Sequence, residues 1–177
     1  MYHCEPGQDG NIAALSNWSM CGGFIFMDYD KKFMLEALKE AKKAEVIDEV
    51  PIGAVLVIDN KIIARGHNVR ETKKDPLGHA ELIAIKKASK KLDAWRLNEA
   101  TLYVTLEPCL MCSGAIIQSR IKRVVFGADD FKGGAFGSSI DVLDAKNINH
   151  HPEIVRGVLK EECSEIISNF FKKKRIS

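Results

Sequence analysis

His79 and Glu81 stand two residues apart, and Cys109 and Cys112 follow, three residues apart. An imidazole and two thiols are ligands that zinc prefers. A structural zinc is closed by four protein ligands, whereas a catalytic one takes three and leaves the last place to water. Here the count stops at three, with the carboxylate of Glu81 beside the first ligand, so the pattern predicts an open, catalytic zinc. Each pair alone carries less. Cys-x-x-Cys also fits a redox pair or half of a zinc finger. The redox reading has no use for His79 and Glu81, and the finger reading needs a second ligand pair. His150, His151 and Cys163 could be drawn on for one, but Cys163 falls in a helical stripe where a buried, inert thiol is ordinary.

These residues work together only if particular elements hold them. Helix positions three apart share a face, with Cβ atoms about 5–6 Å apart, a gap that one metal can bridge. Pro108 suits the first helical position, where a missing N–H costs nothing. The strand-like run Thr101 to Leu106 therefore leads through a turn into a helix that starts at the cysteines. The positive end of that helix favours thiolates. His79 and Glu81 would diverge in mid-helix at 3.6 residues per turn, so they address one site only from a first turn. Asp75-Pro76-Leu77-Gly78 supplies the turn, and Leu82, Ile83, Ala84, Ile85 and Ala88 the apolar continuation. The expectation is two helix starts facing one zinc.

Thr105-Leu106-Glu107-Pro108-Cys109-Leu110-Met111-Cys112-Ser113-Gly114-Ala115, with His79-Ala80-Glu81-Leu82 before it, resembles the signature of the zinc-dependent nucleoside and nucleobase deaminases. More narrowly, the chain resembles the tRNA adenosine deaminases. Val50-Pro51-Ile52-Gly53-Ala54-Val55, Asp75-Pro76, and Arg123-Val124-Val125-Phe126-Gly127-Ala128 with Asp130 and Lys132 match the same enzymes. The similarity runs from about Met27 to the C-terminus. Gly78 stands where alanine is expected, and the loop around Asp144-Ala145-Lys146 lacks histidines of some relatives. The resemblance implies a five-stranded mixed sheet with helices on both sides, a three-layer α/β/α sandwich. It implies one Zn2+ per subunit on His79, Cys109 and Cys112, with Glu81 moving protons. Asn68, from its residues alone equally a turn asparagine, becomes a ligand of the target nucleoside. The implied reaction converts the wobble adenosine (adenosine 34) of tRNA(Arg) with anticodon ACG to inosine, releasing ammonia. A homodimer and contact with the tRNA anticodon stem-loop are implied as well.

The remainder of the chain fits one domain. At 177 residues it can bury a core without staples. Five cysteines without disulfide-framework spacing, and no apolar run near the ~20 residues of a membrane span, point to the cytoplasm. Residues 1–27 hold Glu5 and Asp9 but no Lys or Arg, unlike the start of a secretory signal. Their glycines and lack of periodicity predict a poorly structured leader ahead of a domain at 28–177, with Met27 as an alternative start. Asp30 is expected to cap a helix bearing Phe33, Met34, Ala37, Leu38 and Ala41. Asp59-Asn60 signals a hairpin between strands 52–58 and 61–65. Helix 79–91, strand 101–106, helix 109–119 and strand 121–127 then alternate, which predicts a sheet between helices. A short strand at 153–157 and a terminal helix striped by Leu159, Cys163, Ile166, Ile167, Phe170 and Phe171 complete the reading. Gly133 to Ser139 lacks the ending of a phosphate-binding loop and is read as a flexible connector near the site. Lys86, Lys87, Lys90 and Lys91 fit the outer face of an amphipathic helix.

Net charge is only +2, too small to argue for a polyanion by itself. Lys172, Lys173, Lys174 and Arg175 cluster at the tail. They suit either a solvated helix end, whose dipole favours cations, or an RNA contact, and the resemblance favours the second.

Overall fold

The computed structural model describes residues 18–176, with side chains from Tyr29 onward. Helix α1 spans Trp18–Val46, so as described it begins ahead of the expected domain boundary at residue 28; positions 1–17 of the expected leader lie outside the described residues. Strands β1 (Gly53–Ile58) and β2 (Lys61–His67) form the hairpin. Asp59 and Asn60 both take positive φ, 48° and 57°, as a two-residue turn matched to strand twist requires. A single turn, α2 (Arg70–Lys73), leads to α3 (Ala80–Leu92), then β3 (Thr101–Leu106), α4 (Leu110–Gln118), β4 (Arg123–Ala128), β5 (Glu153–Arg156) and α5 (Lys160–Ile176).

The sheet has five strands in the order β2-β1-β3-β4-β5. β1 is antiparallel to both β2 and β3, while β3, β4 and β5 run parallel. Side chains alternate across a strand, and both faces are covered. Ala54, Leu56, Leu102, Val104, Val124 and Phe126 pack with Ala84, Ala88 and Ile116 of α3 and α4. Val55, Val57, Tyr103 and Val125 pack with Phe33, Met34, Ala37 and Cys163 of α1 and α5. The mixed sheet between helical layers is therefore the fold, as expected.

One expectation fails. Asp30 does not cap α1, because the helix has already run through three turns when it arrives there. Its buried carboxylate instead receives both guanidinium nitrogens of Arg123, at 2.7 and 2.8 Å, and the Tyr103 hydroxyl at 2.8 Å. The residue pins α1 to the sheet. Burial and that carboxylate together raise the Tyr103 phenol well above its ordinary value.

Candidate active site

Parallel strands β3 and β4 need crossover helices, and helix starts gather at one end of the sheet. His79 is the N-cap of α3, with extended φ −82° and ψ 146°. Cys109 is the N-cap of α4, with φ −72° and ψ 172°. Neither side chain makes a capping hydrogen bond, so ring and thiol are free for other work. Glu81 and Cys112 sit in the first turns of the same helices. The two helix starts therefore meet as the spacing predicts.

Nδ1 of His79 lies 3.7 Å from Sγ of Cys109 and 3.5 Å from Sγ of Cys112. Tetrahedral zinc with Zn–S about 2.3 Å and Zn–N about 2.0 Å has an S···N edge of about 3.5–3.6 Å. The donor set fits a zinc ion without rearrangement, and two soft thiolates with one imidazole suit zinc chemically. These are the three ligating atoms found within 4.8 Å of one another, and no fourth His, Cys, Asp or Glu joins them among the described residues. Two of the residues that a zinc finger would draw on are engaged elsewhere, and the third, His151, is exposed. His150 Nε2 lies 2.7 Å from the Ile121 carbonyl oxygen, and Cys163 is buried in the core on the far face of the sheet. His67 faces Glu40, its Nδ1 3.1 Å from the carboxylate, and is no ligand either.

The thiols titrate apart. Hydrogen bonding from Cys112, and then from His79, outweighs burial and pulls Cys109 down to about 4. Cys112 is pushed up by its bond to Cys109 and by burial. His79 is raised by its bond to Cys109. Glu81, 4% exposed, is raised to about 6, chiefly by desolvation. The site thus holds a thiolate ready for a metal and a carboxyl poised near neutrality.

A cavity of about 130 Å³ opens onto this group. Its lining includes Val50, Asn68, Arg70, Glu81, Glu107 and Asp130. Asn68 follows β2, and its Nδ2 lies 3.3 Å from Oε2 of Glu49 and 3.4 Å from the Val50 carbonyl. Glu49 is itself buried and accepts the Thr72 N–H at 2.5 Å. Burial alone would raise Glu49, yet its hydrogen bonds from the Thr72 and Glu71 segment hold it below the ordinary value. A larger groove, about 860 Å³, lies between α1 and α5 and is edged by solvated charges such as Lys31, Lys39 and Glu165.

Sequence reasoning missed Glu49, Glu107, Arg70 and Asp130 as parts of the site. Two had a signal: Glu107, a carboxylate directly preceding Pro108 and Cys109, and Asp130, which matched the resembling enzymes. The 133–139 loop does lie near the site, but a free connector is the wrong picture. Phe136 N–H and Ser138 N–H both donate to Oε1 of Glu107, at 2.9 and 3.1 Å. Gly66, on β2, lets α3 come close: a Cβ there would overlap the Ala80 carbonyl oxygen.

Known proteins share this chain's sequence pattern and fold. A family model described as MafB19-like deaminase matches residues 27–175. A tRNA-specific adenosine deaminase of Bacillus subtilis (strain 168) is 55% identical over 149 residues, 84% of this chain and 92% of the relative. One from Haemophilus influenzae is 51% identical over 149 residues, 84% of this chain and 86% of the relative. A solved structure from work on A-to-I editing by tRNA:A34 deaminases superposes with a TM-score of 0.74 at 45% identity. It covers 76% of this chain and 98% of its own. Sequence, sheet and site geometry lead to the same place: the chain belongs to the tRNA-specific adenosine deaminase family.

Proposed function

We propose that this protein deaminates the wobble adenosine (adenosine 34) of tRNA(Arg) with anticodon ACG, giving inosine and ammonia. The observation that carries the reading is a His79, Cys109 and Cys112 set at zinc-edge distances beside the buried carboxyl of Glu81. Zinc bound there would supply a Lewis acid that brings a water's pKa toward neutrality. Glu81, buried on the cavity wall beside the three ligands, is placed to take and return a proton. It removes a proton from the attacking water and places it on N1 of the adenine as the C–O bond forms at C6, then takes the second proton from the new C6 hydroxyl and delivers it to the departing amine. The C6–N bond breaks, ammonia leaves and the ring keeps the oxygen.

Asn68 is proposed to hold the nucleoside, since its side chain lines the cavity on a buried, hydrogen-bonded mount. An anticodon loop presents unstacked nucleotides, which lowers the cost of bringing a base into such a pocket. The basic end of α5 supports an RNA partner. Lys173 pairs with Glu45 and Lys174 with Asp48, and Asp48 is two residues from Val50 on the cavity lining. A cytoplasmic homodimer belongs to the same proposal. Among the described residues, no helix is long and apolar enough to cross a membrane.

The test is direct. Zinc-loaded protein is incubated with unmodified tRNA(Arg) bearing the ACG anticodon, with free guanine and with cytidine. Inosine at position 34 is the expected product. Turnover of a free base or nucleoside with the tRNA untouched would overturn the proposal.

A further inference from the structure

We propose that Glu107 is a positioning residue that locks the cavity wall to the metal-ligand turn. Its carboxylate is 2% exposed and directly precedes Pro108 and Cys109. It accepts three backbone N–H groups from one distant loop: Asp130 at 3.1 Å on Oε2, and Phe136 at 2.9 Å and Ser138 at 3.1 Å on Oε1. The same loop is tied back to the cysteine turn from its own side. Ala135 N–H donates to the Pro108 carbonyl at 2.9 Å, and Cys109 and Gly134 form an antiparallel bridge. Arg156 adds a hydrogen bond to the Phe136 carbonyl.

Backbone N–H groups taken out of water require acceptors, and three from this loop, one buried and two part-buried, share the two oxygens of a single side chain. A carboxylate suits the task because both of its oxygens only accept, whereas a carboxamide turns one end into a donor. Gly134 completes the fit, since a Cβ at that position would overlap Oε2 of Glu107. Asp130 and Glu107 both line the cavity, together with Cys109. The wall that meets the substrate is therefore held in register with the sulfur that meets the metal.

Two variants of the full, zinc-loaded chain test this. The kinetic arm rests on the deaminase reading above; the hydrogen-exchange arm does not. In Glu107→Gln, amide exchange at Asp130, Phe136 and Ser138 is expected to accelerate, with α3 and α4 amides and zinc content as in the parent. KM for an anticodon stem-loop is expected to rise on the order of tenfold or more, the cost of a misplaced contact. Gly134→Ala, whose Cβ would meet both Oε2 of Glu107 and the Asp130 carbonyl oxygen, should reproduce both effects and serves if Glu107→Gln does not fold. Unchanged exchange at those amides, or an unchanged KM with kcat merely following the folded fraction, overturns the assignment. Should the parent chain leave RNA untouched, the deaminase reading fails by itself and the exchange data still decide the role of Glu107.

Discussion

Burial and proton transfer pull on Glu81 together. Removing a carboxylate from water penalises its charge, and at 4% exposure this raises Glu81 to about 6, while a cation bound beside it would pull it back down. Glu81→Gln keeps the shape and loses the proton. We expect kcat to fall by roughly 10²- to 10⁴-fold while zinc content, measured by metal analysis, stays as in the parent. Turnover near that of the parent would remove Glu81 from the mechanism. His79, Glu81, Cys109 and Cys112 were legible in the sequence because their types are chemically distinctive and their spacing has few uses. Glu49 and Glu107 were not. Their partners are mostly backbone N–H groups more than twenty residues away, and a backbone amide has no signature in a list of side chains.

At the next scale, helices and strands decide whether those side chains meet. Alternating apolar and helical patterns gave away β1 to β5 with α3 and α4, though not the single turn α2, since period-2 and 3.6-residue patterns are properties of the chain itself. Asp30 shows where that logic stops. An aspartate before an apolar helical stripe reads as a cap, but a helix that starts earlier carries it inward, to Arg123, ninety-three positions later. Gly66 exposes the same limit, for its meaning lies in a neighbour met only after folding. Gly66→Ala would drive a methyl into the Ala80 carbonyl, and backbone cannot yield as a side chain can. The first turn of α3, which carries His79 and Glu81, must then move. The expected result is a loss of roughly 1–3 kcal/mol in stability with weaker zinc binding, read by thermal unfolding and metal titration. A Gly66→Ala protein with unaltered zinc affinity would show that β2 does not set the position of α3.

Taken whole, the molecule is a twice-covered sheet with its chemistry at one end and a cationic tip on its last helix. Lys172 and Arg175 are exposed, and surface charges contribute little to stability, so both can be altered without unfolding the domain. Lys172→Ala combined with Arg175→Ala is expected to weaken RNA binding at all sequences. The dependence of log affinity on log salt should flatten by about 0.7 for each lost contact with single-stranded RNA. An unchanged salt slope would make the tail a solvated helix end after all. The opposite margin of the sheet carries its own protection. β2 is a terminal strand, the kind of border at which a stray chain can dock and seed aggregates. The ammonium of Lys87 donates to the Arg65 carbonyl at 3.0 Å, and Lys91 reaches the Ile63 carbonyl at 3.4 Å. The lysine row of α3 thus fences the border: an intruding strand would find those acceptors already claimed and positive charge standing over them.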